Sequence, residues 1–93
     1  MPKPTIDPFT VTRAQALDAL DEPENHPGLA KALHGQIQAF GARLQGVRRL
    51  RLRVKNDFEQ VAAEALVKAV AEAEYEDDHK PPVIGIVRTE GWL

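Results

Sequence analysis

The stretch FEQVAAEALVKAVAEAEYE, Phe58 to Glu76, carries the strongest periodic signal in the chain, and the two best strand candidates flank it. With Phe58 at zero and about 100° per residue, Val61, Ala62, Ala65, Leu66, Ala69, Val70 and Ala73 join it on one broad arc. That is the 3.6-residue period of an amphipathic helix over 58–76. Asp57 stands just before it as N-cap, and the abundance of Ala agrees with the periodicity. On the far side Ala63, Val67 and Ala71 form a strip of small side chains between Gln60, Glu64 and Lys68. Such a strip admits a second helix closely and is a candidate protein interface; the plainer account is that Ala fills exposed helix positions by propensity. The helix ends in Glu72, Glu74, Glu76, Asp77 and Asp78, an acidic run that opposes the macrodipole by roughly 0.3–1 kcal/mol per well-placed charge and calls for a basic neighbour.

Upstream, VRRLRLRV reads as a strand over 47–54, with apolar and basic residues alternating from Leu50 to Val54. Val47 is offset from that alternation, which suggests a bulge near Arg48 and Arg49. Arg49 is then read as out of phase, leaving Arg51, Arg53 and Lys55 on one face. Downstream, 77–82 is a turn whose two prolines stop the helix, and VIGIVR is an apolar strand over 83–88. Strand, helix and strand have the lengths of a βαβ unit, which implies parallel strands and a helix antiparallel to the first of them. Its acidic end would then lie near Arg48 and Arg49. A sheet of two or three strands has exposed edges, and pairing across a two-fold axis protects one, so a homodimer is expected.

The N-terminal half supplies two helices. Residues 1–8 hold three prolines and read as an extended arm, and Phe9 to Val11 as a short edge strand. Thr12 with Gln15 has the form of a capping box for a helix over 13–20. DEPENHP is a loop, after which Asn25 or His26 caps a second helix with Pro27 in its first turn. Leu29, Leu33, Ile37, Phe40 and Leu44 form its core stripe. Gly35 and Gly41 lie off the stripe at about 1 kcal/mol each relative to Ala, and imply either close backbone packing or a loose end before Gly46. The fold class is therefore α+β in two layers, one domain over 1–93.

Composition excludes several chemistries in this chain. There is no Cys and no Ser, so disulfides, thiolate metal sites and serine or cysteine nucleophiles are out. The start lacks the apolar run of a signal peptide, and a cytoplasmic setting is expected. Richness in Ala, Arg, Leu and Glu is the pattern of a GC-rich bacterial genome and is compatible with a thermophile. EYEDDH (74–79) matches no metal-loop spacing, and His26 and His34 lack a third ligand, so no metal or cofactor is assigned. No carboxylate is isolated in an apolar stretch and no glycine-rich phosphate cradle appears, so no catalytic residue is assigned either.

Charge is the feature that invites a functional reading. The net charge is −2, yet residues 25–56 hold Lys31, Arg43, Arg48, Arg49, Arg51, Arg53 and Lys55 and no acid. The arginines and Lys55 are candidates for contact with nucleic acid or an acidic protein partner. Aromatic residues are not interleaved among them, which weighs against nucleic acid, and a salt-bridged or solvated face is the plainer alternative. Trp92 is a candidate interface anchor or a plug over the core. These readings lead to a non-catalytic, self-associating protein-interaction module. A nucleic-acid-binding protein using 48–55 comes second, and a small enzyme third.

Overall fold

The computed structural model describes residues 6–73 and 80–89. Helix α1 (Arg13–Asp21) and helix α2 (Pro27–Ala42) are followed by strand β1 (Arg49–Val54), helix α3 (Asp57–Glu72) and strand β2 (Val83–Arg88). Among the described residues the sheet has two strands, and they pair in parallel from Arg49↔Val83 to Val54↔Arg88 without interruption. The α+β class and the βαβ reading hold. The continuous register removes the bulge expected near Arg48 and Arg49, and Val47 lies outside the strand.

Each helix begins where local chemistry sets it. The capping box of α1 is complete: Thr12 Oγ1 accepts from Gln15 N at 3.1 Å, and Gln15 Oε1 accepts from Thr12 N at 3.0 Å. For α3 the cap is Asn56 rather than Asp57. Asn56 is extended and its Oδ1 accepts from Glu59 N at 2.7 Å, while Asp57 is already inside the first turn. There Asp57 and Glu59 face the positive end of the helix dipole. Asn56 is buried, and its Nδ2 is the one buried side-chain polar atom without a partner among the described residues.

Helix α2 starts at Pro27 with His26 in the cap position but without a side-chain cap bond. His26 Nε2 instead meets Asp18 Oδ2 at 2.6 Å and clasps the turn between α1 and α2. The turn after Ala42 closes at Gly46, whose φ of 71° suits glycine. The close-packing reading of the helical glycines does not hold, whereas α2 does end before Gly46, at Ala42. A Cβ on Gly35 would meet nothing within 4 Å, one on Gly41 would lie 3.6 Å from Leu66 Cδ1, and α2 runs through both. The N-terminal segment also differs from expectation. Pro8–Thr10 is a 3₁₀ turn capped by Asp7, not an edge strand, because Asp7 Oδ1 takes the Phe9 N–H at 3.0 Å and bends the chain. Ile6 already reaches the start of α2 near Gly28.

Helix α3 is the hub. It packs on α1 and α2, on both strands and on the turn at Pro8–Thr10. Val61, Ala62 and Ala63 are 1%, 0% and 0% exposed, so the helix is covered across at least about 200° of its circumference. They join Leu33 and Phe40 from α2, Ala16 and Ala19 from α1, and Leu52 and Val54 from β1 in one core. Arg13 Nη2 meets Glu64 Oε1 at 2.8 Å and ties α1 to α3. That hydrogen bond holds the Glu64 carboxyl below its usual range and raises the Arg13 guanidinium. Arg88 ties β2 to the start of α3, donating to Asp57 Oδ1 at 3.0 Å and to Gln60 Oε1 at 2.7 Å.

Replacing the cap tests its position. Asn56→Ala is expected to destabilise the chain by about 1 kcal/mol in urea unfolding. Asn56→Ser is expected to cost less, since it keeps an acceptor and leaves no amide N–H buried without a partner.

Candidate functional site

The site follows from the alternation of β1. Leu50, Leu52 and Val54 turn toward α3, so Arg49, Arg51 and Arg53 stand together on the opposite face, all exposed. The strand register places Val83, Gly85 and Val87 beside them, one to each arginine. Arg49 is therefore in phase with Arg51 and Arg53, correcting the sequence reading, and the residue out of phase is Arg48. Guanidinium stems two residues apart along a strand are about 6.6 Å apart, which makes a straight basic row.

Arg43, at the C-cap of α2, joins the row across an open cleft of about 720 Å³ whose walls include Arg49, Arg51, Arg53, Val83 and Gly85. Among the described residues no carboxylate lines this cleft. Arg13 and Arg88 each meet a carboxylate, but the side chains of Arg43, Arg48, Arg49, Arg51 and Arg53 make no ion pair or hydrogen bond to a described residue. Lys55 drops out of the row. It lies past the end of β1, its backbone N–H donates to Glu59 Oε1 at 3.0 Å, and its Nζ sits 5.7 Å from the centroid of the Phe9 ring.

The second candidate set is divided. Ala63 is spent inside the fold, Val67 is half-buried and Ala71 is exposed, so the strip does not form one open face. Coverage of α3 on more than one side consumes the end that the sequence left free. Trp92 and the acidic residues Glu74, Glu76, Asp77 and Asp78 lie outside the described residues.

Sequence reasoning expected exposed sheet edges but not which backbone groups face them. Val83 N donates to Arg48 O at 2.9 Å and Thr89 N to Val54 O at 2.8 Å, which sets the ladder at both ends. By the parallel pattern, the amides and carbonyls of 83, 85 and 87 turn toward β1, and those of Ile84 and Ile86 turn away from it. On β1 the groups of Arg49, Arg51 and Arg53 likewise turn outward. No hydrogen bond to another described residue's backbone engages either outer edge. The missed signal was available in part: an apolar strand with few possible neighbours in so short a chain is an edge by default.

No group of three His, Cys, Asp or Glu side chains among the described residues has metal-binding geometry. The lowered Glu64 is a weaker base than an ordinary carboxylate, the opposite of what a general base needs at neutral pH. No described helix is long and apolar enough to cross a membrane. Comparison with protein-family models, curated proteins and solved structures returned no match.

A row that supports no internal contact is dispensable to the fold. Arg51→Gln/Arg53→Gln is expected to change the unfolding free energy by less than about 0.5 kcal/mol. A loss several times larger in urea titration would show that the row is held by the chain itself.

Proposed function

We propose that this chain is a non-catalytic protein-interaction module that pairs with a second copy of itself along the outer edge of β2. The observation that carries the reading is the apolar strand β2, in which the outward backbone groups of Ile84 and Ile86 have no partner among the described residues. Parallel sheets are ordinarily covered on both faces, and an unprotected apolar edge is a template for another strand.

The sequence of β2 suits its own copy. Under a two-fold axis at Gly85 the strands run antiparallel. Ile84 then lies opposite the partner's Ile86, with hydrogen bonds exchanged between them, and Val83 lies opposite the partner's Val87. The pair at the axis is Gly85 on Gly85. No charge meets a like charge over 83–87, and β-branched residues face each other across the strands. Val83 is 63% exposed and Val87 37% exposed on the open face, where the pairing would cover them. The result is a four-stranded sheet with β1 at each outer edge. Edge pairing of this length buries less than a standard interface, so a micromolar dimer is expected rather than a permanent one.

Light-scattering mass across about 5–500 µM protein tests this, because a dimer of this kind must dissociate on dilution. The chain is expected to move from monomer to dimer mass within that range. Val83→Lys/Val87→Lys sets Lys opposite Lys across the axis and is expected to stay monomeric. Val83→Lys/Val87→Glu sets opposite charges there and is expected to restore the dimer. A wild-type monomer throughout, or a dimer indifferent to both variants, contradicts the reading.

A further inference from the structure

The outer edge of β1 combines two features that occur together nowhere else among the described residues. Arg49, Arg51 and Arg53 turn their peptide N–H and C=O groups away from β2, and the same three residues raise their guanidinium groups on the uncovered face. An edge of unpaired backbone groups asks for a strand. A row of cations at a two-residue period asks for anions at that same period. From this juxtaposition we infer that the free edge of β1 receives an extended acidic peptide segment with a carboxylate at every second residue.

The geometry follows from strand pairing. Residues directly opposite each other across two paired strands project to the same face, so peptide residues opposite Arg49, Arg51 and Arg53 stand beside their guanidinium groups. Each arginine offers a planar fork that matches a carboxylate through two parallel N–H donors, a fit that a lysine in its place would not supply. Arg43 adds a fourth cation beside the cleft, which no carboxylate lines among the described residues. The intervening peptide residues turn to the α3 side, beside Leu50 and Leu52, where small or apolar side chains fit. Main-chain bonds then supply affinity and the alternating charges supply specificity, the division of labour seen when peptides add to sheet edges.

A nucleic-acid backbone fits less of this surface. It would meet the guanidinium row but leave the outward peptide groups unanswered. Among the described residues the open face carries Arg, Val and Gly, with no aromatic platform on which a base could stack. The chain's net charge of −2 also works against binding a long polyanion. The inference rests on the interaction-module reading but uses the opposite edge of the sheet from the one proposed for self-pairing. Peptide binding and dimer mass therefore succeed or fail separately.

Fluorescence anisotropy on the full chain tests it with three labelled probes: the peptide ETETETE, its block isomer EEEETTT, and mixed-sequence single-stranded DNA. ETETETE is expected to bind, to weaken with added salt, and to bind at least about tenfold more tightly than the block isomer or the DNA. Arg51→Gln/Arg53→Gln, shown folded by circular dichroism, is expected to lose at least about tenfold in affinity for ETETETE. In NMR hydrogen exchange the peptide is expected to slow the amides of Arg51 and Arg53, which a charge-only contact would leave unchanged. Equal binding of the two peptides would overturn the strand-addition geometry. Tighter binding of DNA than of ETETETE would assign the row to nucleic acid, and no binding of any probe would make it a solvated face.

Discussion

The fold depends on one helix being covered on more than one side. Helix α3 holds fully buried residues at three consecutive positions, Val61, Ala62 and Ala63, and no single neighbour can bury three successive side chains that diverge by about 100° each. Small side chains at 62 and 63 permit that close coverage. The helices α1 and α2 pack on α3 and on each other, and the two strands pack on α3 as well. The aliphatic core forms around α3 from Leu33, Phe40, Leu52, Val54, Phe58 and Leu66.

The same arrangement leaves the sheet half dressed. A helix can cover one face of a parallel pair; α3 covers that face, and α1 and α2 pack on α3 and on each other. The exposed face and both edges are consequences of how the chain spends its limited apolar surface. Its charges divide accordingly. Arg13 and Arg88 tie α1 and β2 to α3 through Glu64 and Asp57, while the arginines of β1 stand where the fold makes no use of them. Glu64 is half-buried, and Arg13 lowers its proton affinity in the folded chain. The sign of that linkage is that its contribution is present above the usual Glu range and is lost as pH falls through the lowered value.

Much of this was legible in the residues. The apolar run 83–88 and the basic alternation 50–54 were readable because prolines and a turn bound the first and strict alternation marks the second. What failed was decided by geometry that patterns do not encode. Asn56 and Asp57 both qualify as caps, and only the entry angle of the chain from β1 selects Asn56. Phe9 to Val11 has strand propensity, but Asp7 captures a local N–H first. Arg49 was misplaced by assuming a bulge, although it shares the parity of Arg51 and Arg53. Ala63 and Ala71 are the same residue on the same stripe, yet one is buried and the other exposed. That difference depends on how far the neighbouring elements reach, which the sequence of α3 does not contain. Which backbone groups the edges leave unpaired could be seen only once the strand order and register were known.

Residue-resolved amide exchange by NMR along β2, at two protein concentrations, tests the central claim that this sheet is completed by a partner. In dilute solution the amides of Gly85 and Val87 should be protected by β1 while those of Ile84 and Ile86 exchange quickly. At high concentration Ile84 and Ile86 should become protected too, as the second copy takes up their outward groups. If Ile84 and Ile86 are protected equally at both concentrations, the edge is already covered within the chain. If they exchange quickly at both, no second copy binds there, and in either case the account is wrong.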